Sequence, residues 1–199
     1  MSDWAERLGE ALKRFPRVAI PAQGRRVAAV ALVVSDDGGE PGLWLTRRAS
    51  KLRAHAGQFA LPGGRLDDGE DAVGGALREL AEELGIVAGR HECLGLLDDY
   101  ATRSGYVITP VVVRVAAGMD PVPNPDEVAR VHRISFTELD AEPRFVRIPE
   151  SDRPVIQLPL AGSLVHAPTG AVLFQFREVA LHGRHTRVAH LEQPVFAWR

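Results

Sequence analysis

Stretches of apolar residues along the chain predict strands separated by turns. The clearest lie at about 27–35 and 108–115, and the first is followed by the turn-forming sequence DDGGEPG. We predict a hairpin partner for the first strand at 43–47. Weaker apolar patterns predict further strands at 93–97 and 127–134.

Other segments have helical spacing. Apolar residues recur at helical intervals within 1–16, which predicts an amphipathic helix packed on the rest of the chain; they are Trp4, Leu8, Leu12 and Phe15. A second helix is predicted at about 70–84, where Gly85 provides a stop signal. Ser135 is a candidate cap for a short helix at 136–139. Residues 169–181 fit helix or strand, and their length and the preceding proline favour a helix.

These elements together predict a mixed α/β (α+β) fold, because strands and helices alternate along the chain. Residues 48–68 form a long connection rich in Gly, Ala and Arg, and loops of this length are usually functional. Residues 188–198 are predicted as a closing strand or an extended tail. The C-terminal third carries no recognisable motif.

Three acidic residues lie close together on the second predicted helix. Glu79 is three and four residues from Glu82 and Glu83, so all three share one helical face. Such a cluster is often only a solvated surface. Carboxylate oxygens are, however, the ligands that Mg²⁺ takes from proteins beside substrate phosphates. The cluster therefore predicts a metal site for phosphate chemistry.

The same segment resembles the signature of the Nudix hydrolase family. The matching residues are Gly64, Glu70, Arg78, Glu79, Leu80, Glu82, Glu83, Gly85 and Ile86. The resemblance implies an α/β/α sandwich with a mixed sheet. It also implies that Glu79, Glu82 and Glu83, with the backbone carbonyl of Gly64, hold Mg²⁺ or Mn²⁺. Glu70 and Arg78 would complete the catalytic set by pairing and fixing the loop against the helix.

The segment before the signature resembles the coenzyme A pyrophosphatases within this family. The matching positions are Leu45, Thr46, Arg48, Ala49, Arg53, Gly57, Pro62, Gly63 and Gly64. Two positions depart from the pattern, where Trp44 replaces Leu and Leu61 replaces Phe. The resemblance implies Mg²⁺- or Mn²⁺-dependent hydrolysis of the diphosphate bond of coenzyme A or acyl-coenzyme A.

Basic residues around this segment are candidates for phosphate contacts, since arginine binds phosphate in a bidentate manner. Arg48 and Arg53 are the first candidates. Arg103 in a predicted turn and His55 are further candidates, with an exposed turn residue and an ordinary loop histidine as the respective alternatives.

The general base is open at this stage. The resemblance favours Glu79, and an acid outside the signature is the alternative; the candidates are Asp126, Glu127 and Glu192. Two other functions also remain open: hydrolysis of another nucleoside diphosphate derivative (ADP-ribose, a dinucleotide or a damaged nucleotide), or a non-catalytic nucleotide-sensing module.

Composition and charge indicate the number of domains, the kind of partner and the location. A chain of 199 residues with 45% hydrophobic residues suits one domain, predicted over 1–199. The net charge of −2 does not favour nucleic acid as a partner. No stretch approaches the roughly 18 apolar residues of a membrane span. The only cysteine, Cys93, fits a reducing compartment. We therefore predict a cytoplasmic protein that binds a small nucleotide substrate, and the family analogy suggests a homodimer.

Overall fold

The computed structural model describes residues 3–36, 39–50 and 57–198. Within these ranges there are four α-helices: α1 Asp3–Arg14, α2 Ala72–Leu84, α3 Phe136–Leu139 and α4 Thr169–Ala180. The strands in the same ranges are β1 Arg26–Ser35, β2 Gly42–Arg48, β3 Phe59–Ala60, β4 Gly63–Arg65, β5 Cys93–Leu96, β6 Tyr100–Ala101, β7 Tyr106–Arg114, β8 Val128–Ser135, β9 Arg144–Ile148, β10 Ser151–Leu160 and β11 Ser163–His166. None of the helices in these ranges has the length and apolar character needed to cross a membrane.

Strand β1 lies at the centre of a mixed sheet. It pairs in parallel with β7 from Arg26 opposite Tyr106 to Val34 opposite Arg114. On its other edge it pairs antiparallel with β2 and with β4. The sheet continues from β2 to β3 and β8, and from β7 to β5 and β6. The predicted hairpin between the first two strands and the predicted mixed sheet are confirmed.

Helices cover both faces of this sheet. Successive side chains of a strand point to opposite faces. Accordingly, Ala29, Ala31 and Val33 pack in one cluster with the α2 residues Ala76 and Leu80. Leu32 and Val34 belong to a second cluster, which also contains Leu8 and Leu12 of α1 and Leu173 and Phe176 of α4. The predicted α/β/α sandwich is confirmed, and the apolar residues Leu8 and Leu12 of α1 lie in the second cluster.

A second sheet, formed by β9, β10 and β11, is absent from the sequence-based prediction. Its strands are antiparallel in the order β11-β10-β9. For residues 188–198 the sequence predicts a closing strand or an extended tail, and the first of these alternatives is wrong. That segment has a single parallel bridge, between Val155 and Glu192, and a 3₁₀ turn at Val195–Ala197. Pro194 within it has no N–H to donate to a sheet.

The long connection at 48–68 contains short strands rather than loop alone. Strand β3 pairs with β2, and β4 pairs with β1. Helix α2 begins at Ala72, two residues later than predicted, because the side chain of Asp71 caps it by accepting a hydrogen bond from the Gly74 N–H at 2.8 Å. It ends at the left-handed Gly85, with φ of 66°. Residues 51–56, which include Arg53 and His55, lie outside the described residues.

Candidate active site

The acidic face of α2 lies against β4. Glu83 is buried, with 3% of its surface exposed, and its Oε1 accepts a hydrogen bond of 3.4 Å from the Gly63 N–H. A Cβ placed on Gly64 would lie 2.2 Å from Oε1 of Glu79. Only glycine therefore fits at 64 while the Glu79 carboxylate keeps its position. The turn that precedes the helix and the acids on the helix form one surface.

Arg78 connects that surface to the loop before the helix. Its Nε and Nη2 donate to the two carboxylate oxygens of Glu70, each at 3.1 Å, and Nη2 also donates to the Arg65 carbonyl at 2.9 Å. Its Nη1 donates to Glu79 at 2.9 Å and to Glu82 at 3.1 Å. The contact between Arg78 and Glu70 is one that the Nudix resemblance implies. These bonds and the Asp67 N–H hold the pKa of Glu70 below its ordinary value.

The carboxylates of Glu79 and Glu83 repel each other. Burial is the main cause that raises the pKa of Glu83 to about 7, and the charges of Glu127 and Glu79 add to it, while the Gly63 N–H and Arg48 oppose it. Burial also raises the pKa of Glu79 despite its bond from Arg78. Glu82 and Glu127 repel the Glu79 carboxylate as well. Among the three alternative bases, Glu127 is thus the one whose charge acts on both Glu79 and Glu83.

The donor set suits a hard divalent cation. All its side-chain donors are carboxylate oxygens, and their repulsion is the kind that a bound Mg²⁺ or Mn²⁺ relieves. In the described part of the chain, no three acidic, histidine or cysteine side chains are gathered as a ready ligand cluster. Glu79 and Glu82 accept hydrogen bonds from Arg78 instead. The ligand set of Gly64, Glu79, Glu82 and Glu83 stays a prediction.

A cavity of about 550 Å³ adjoins this surface, and we call it the main cavity. Gly63 and Gly64 form part of its wall, and Arg48 reaches it from β2. Nε of Arg48 is buried and has no hydrogen-bond partner among the described residues. The cavity is also lined by side chains that the sequence analysis did not select, and these include Arg26, Phe59, Arg65, Thr102, Tyr106 and Ile108.

Arg103 is placed differently from Arg48. It donates to Glu192, with Nη2 2.5 Å from Oε2, and its guanidinium lies 5.0 Å from the ring centre of Trp198. It is not among the residues that line the main cavity. Burial would raise the pKa of Glu192, but Arg103, the Gln193 N–H and Ser151 outweigh it and hold the pKa at about 2. A carboxylate with so low a pKa is a poor general base.

Fold and site together define a class of protein: an α/β/α sandwich in which carboxylates on a helix face a glycine turn and a basic cavity of nucleotide size. The chain belongs to the Nudix family, since the NUDIX domain matches residues 24–158. This covers more than half of the chain and includes the whole acidic helix.

Relatives and solved structures agree with the family. Proteins described as "Uncharacterized Nudix hydrolase NudL", from Yersinia pestis strain Pestoides F and Yersinia pseudotuberculosis serotype O:1b, are 42% identical to this chain over 118 residues. That match spans 59% of this chain and 58% of each relative's length. The Nudix hydrolase RenU of M. smegmatis covers 82% of this chain and 90% of its own, with TM-score 0.54 and 20% identity. A MutT/nudix family protein from Enterococcus faecalis covers 83% and 67%, with TM-score 0.51 and 16% identity. At these identities the two structures support the fold alone.

Proposed function

We propose that this protein hydrolyses the diphosphate bond of coenzyme A or acyl-coenzyme A with Mg²⁺ or Mn²⁺. The products are 4′-phosphopantetheine, or its acyl form, and adenosine 3′,5′-bisphosphate. The observation that carries the proposal is the position of Arg48. Its buried Nε has no partner among the described residues, it lines the main cavity, and its charge acts on the buried Glu83. A buried, unsatisfied donor beside crowded carboxylates suits an anionic substrate group.

In this proposal, one group of residues binds the cation and the phosphates, and another keeps the loop in place. Glu79, Glu82, Glu83 and the Gly64 carbonyl would hold the cation, which supplies charge neutralisation for the diphosphate and a bound water of lowered pKa. Arg48 and Arg65 bind phosphate oxygens from the wall of the main cavity. Arg78 donates to Glu70 and to the Arg65 carbonyl, and these bonds hold the loop against α2.

Proton transfer is assigned to the same acidic face. Glu79 is the first candidate to accept the proton of the attacking water at its carboxylate. Glu127 is the alternative, because its charge acts on Glu79 and Glu83. Asp126 is exposed and adjoins Glu127 in sequence. Glu192 forms an ion pair with Arg103, and we do not propose it as the base.

The experiment is product analysis with coenzyme A and with ADP-ribose as alternative substrates, each with Mg²⁺ or Mn²⁺. Wild-type protein should release adenosine 3′,5′-bisphosphate from coenzyme A with a higher kcat/KM than it shows for ADP-ribose. Glu83→Gln should lose about a thousandfold in rate, since it removes a predicted metal ligand while keeping the side-chain shape. The matched control is Glu150→Gln, which removes the same charge from an exposed position.

Each outcome bears on a different part of the proposal. Faster cleavage of ADP-ribose would overturn coenzyme A as the substrate and favour another nucleoside diphosphate derivative, in line with Leu61 where the coenzyme A motif has Phe. Cleavage of neither substrate, with intact fold by circular dichroism, would contradict hydrolysis of both and favour a nucleotide-sensing module.

A further inference from the structure

A smaller cavity of about 220 Å³ lies beside the main cavity, and we call it the arginine pocket. Thr102 lines both cavities. The two are also joined through consecutive residues at the start of β1, where Arg26 lines the main cavity and Arg25 lines the arginine pocket. The two cavities are therefore adjacent, and Thr102 belongs to the wall of both.

The arginine pocket is rich in positive charge. Arg25, Arg103 and Arg153 line it, and the acidic Glu192 lies among them. Glu192 is already satisfied, because it accepts hydrogen bonds from Arg103, from the Ser151 hydroxyl and from the Gln193 N–H. The Glu192 charge thus compensates that of Arg103.

Two positive charges are left over. Among the described residues, neither Arg25 nor Arg153 forms an ion pair, and both side chains belong to exposed residues. They come from distant parts of the chain, since Arg25 precedes β1 and Arg153 lies in β10. Tyr100 and Leu191 also line the pocket; Tyr100 is buried, and its hydroxyl donates to the Leu191 carbonyl at 2.9 Å.

Two guanidinium groups that form no ion pair among the described residues line this small pocket, and their charge suits a phosphate monoester. We propose that the arginine pocket binds a phosphate on the nucleoside half of the substrate, and that Arg25 and Arg153 select substrates with a phosphate besides the diphosphate. This inference rests on the proposed function, because the 3′-phosphate is what distinguishes coenzyme A from dephospho-coenzyme A.

The first test measures binding, which does not depend on turnover. Adenosine 3′,5′-bisphosphate and AMP differ only in the 3′-phosphate, and each is titrated into the protein by calorimetry. We expect the bisphosphate to bind about tenfold more tightly to wild type, the size of one charge-assisted contact. Arg25→Gln and Arg153→Gln should each reduce that preference. Arg147→Gln, which removes an exposed arginine from β9, is the matched control and should keep it.

The second test uses turnover. The ratio of kcat/KM for coenzyme A to that for dephospho-coenzyme A should fall about tenfold in Arg153→Gln, mainly through KM for coenzyme A. Equal affinity of wild type for the two nucleotides, or an unchanged preference in both arginine variants, would overturn the inference. Absence of turnover of either coenzyme in wild type would instead overturn the proposed function, while the binding preference would still support the arginine pocket.

Discussion

Burial of the Glu83 carboxylate opposes folding, and a single substitution measures the size of this effect. Its side chain is 3% exposed, and burial together with Glu127 and Glu79 raises its pKa from 4.5 to about 7. Glu83→Gln keeps the shape and an acceptor for the Gly63 N–H but carries no charge. In metal-free protein, we expect this substitution to raise the free energy of unfolding at alkaline pH.

The size of the effect follows from the pKa. A folded-state pKa above the unfolded value means that the folded protein binds more protons, so its stability falls as pH rises from 4.5 towards 7. At about 1.4 kcal/mol per pKa unit, the penalty reaches about 3 kcal/mol above pH 7 and is about 1 kcal/mol at pH 5. The gain from Glu83→Gln should therefore be about 2 kcal/mol larger at pH 8 than at pH 5.

The assay is urea unfolding in EDTA at pH 5 and pH 8, with Glu150→Gln as the exposed control. The control should change stability by less than about 0.5 kcal/mol at both pH values. A gain for Glu83→Gln that is the same at both pH values, or a loss at pH 8, would refute the argument that burial of a charge at Glu83 opposes folding. Hydrolysis should fall in the same variant.

Three further predictions test other parts of the structure. Gly64→Ala should lower kcat/KM about a hundredfold with unchanged circular dichroism, because its Cβ would meet Glu79 at 2.2 Å, whereas Gly9→Ala has open space and serves as control. Asp99→Ala should lower the free energy of unfolding by about 3 kcal/mol in urea, since the buried carboxylate accepts from Arg17 at 2.6 Å. EDTA should abolish product release, and Mg²⁺ or Mn²⁺ should restore it.

The central strands β1 and β7 could be predicted because most of their residues are buried on both faces of the sheet. Such strands appear as continuous apolar runs, and the run in β1 is of this kind. The second sheet gives no such signal. Strand β9 is exposed at four of its five positions, Arg144 to Arg147, and β10 contains Pro154 and Pro159, which argue against a strand. Tertiary pairing, not local pattern, forms those strands.

The residues of the candidate site also differ in how far local sequence could select them. Arg78, Glu79 and Glu83 could be found from sequence because they share one helix, where spacing determines which side chains are neighbours. Arg26 and Tyr106 reach the main cavity only because β1 and β7 pair in parallel at that register. That register depends on the assembled sheet, so no local pattern could have selected them.

The orientation of Arg103 depends on a contact that its local sequence does not specify. The sequence offers Arg103 as a turn residue and a candidate substrate contact, and its partner Glu192 lies 89 residues away. The pair holds the C-terminal segment against the turn between β6 and β7 and places Arg103 at the arginine pocket. A motif specifies residue types, whereas the partner that orients a long side chain depends on the whole fold.

Arg78 explains how one side chain can serve both the loop and the acids. Its Nε and Nη2 bind Glu70 and the Arg65 carbonyl, while Nη1 alone binds Glu79 and Glu82. The two sets of bonds use different nitrogens, so a cation bound by the proposed ligands Glu79 and Glu82 would replace the Nη1 contact without releasing the loop. Lysine has one nitrogen and cannot keep both sets. Because its nitrogens can bind the two sets separately, arginine suits the position between the loop and the acidic helix better than lysine does.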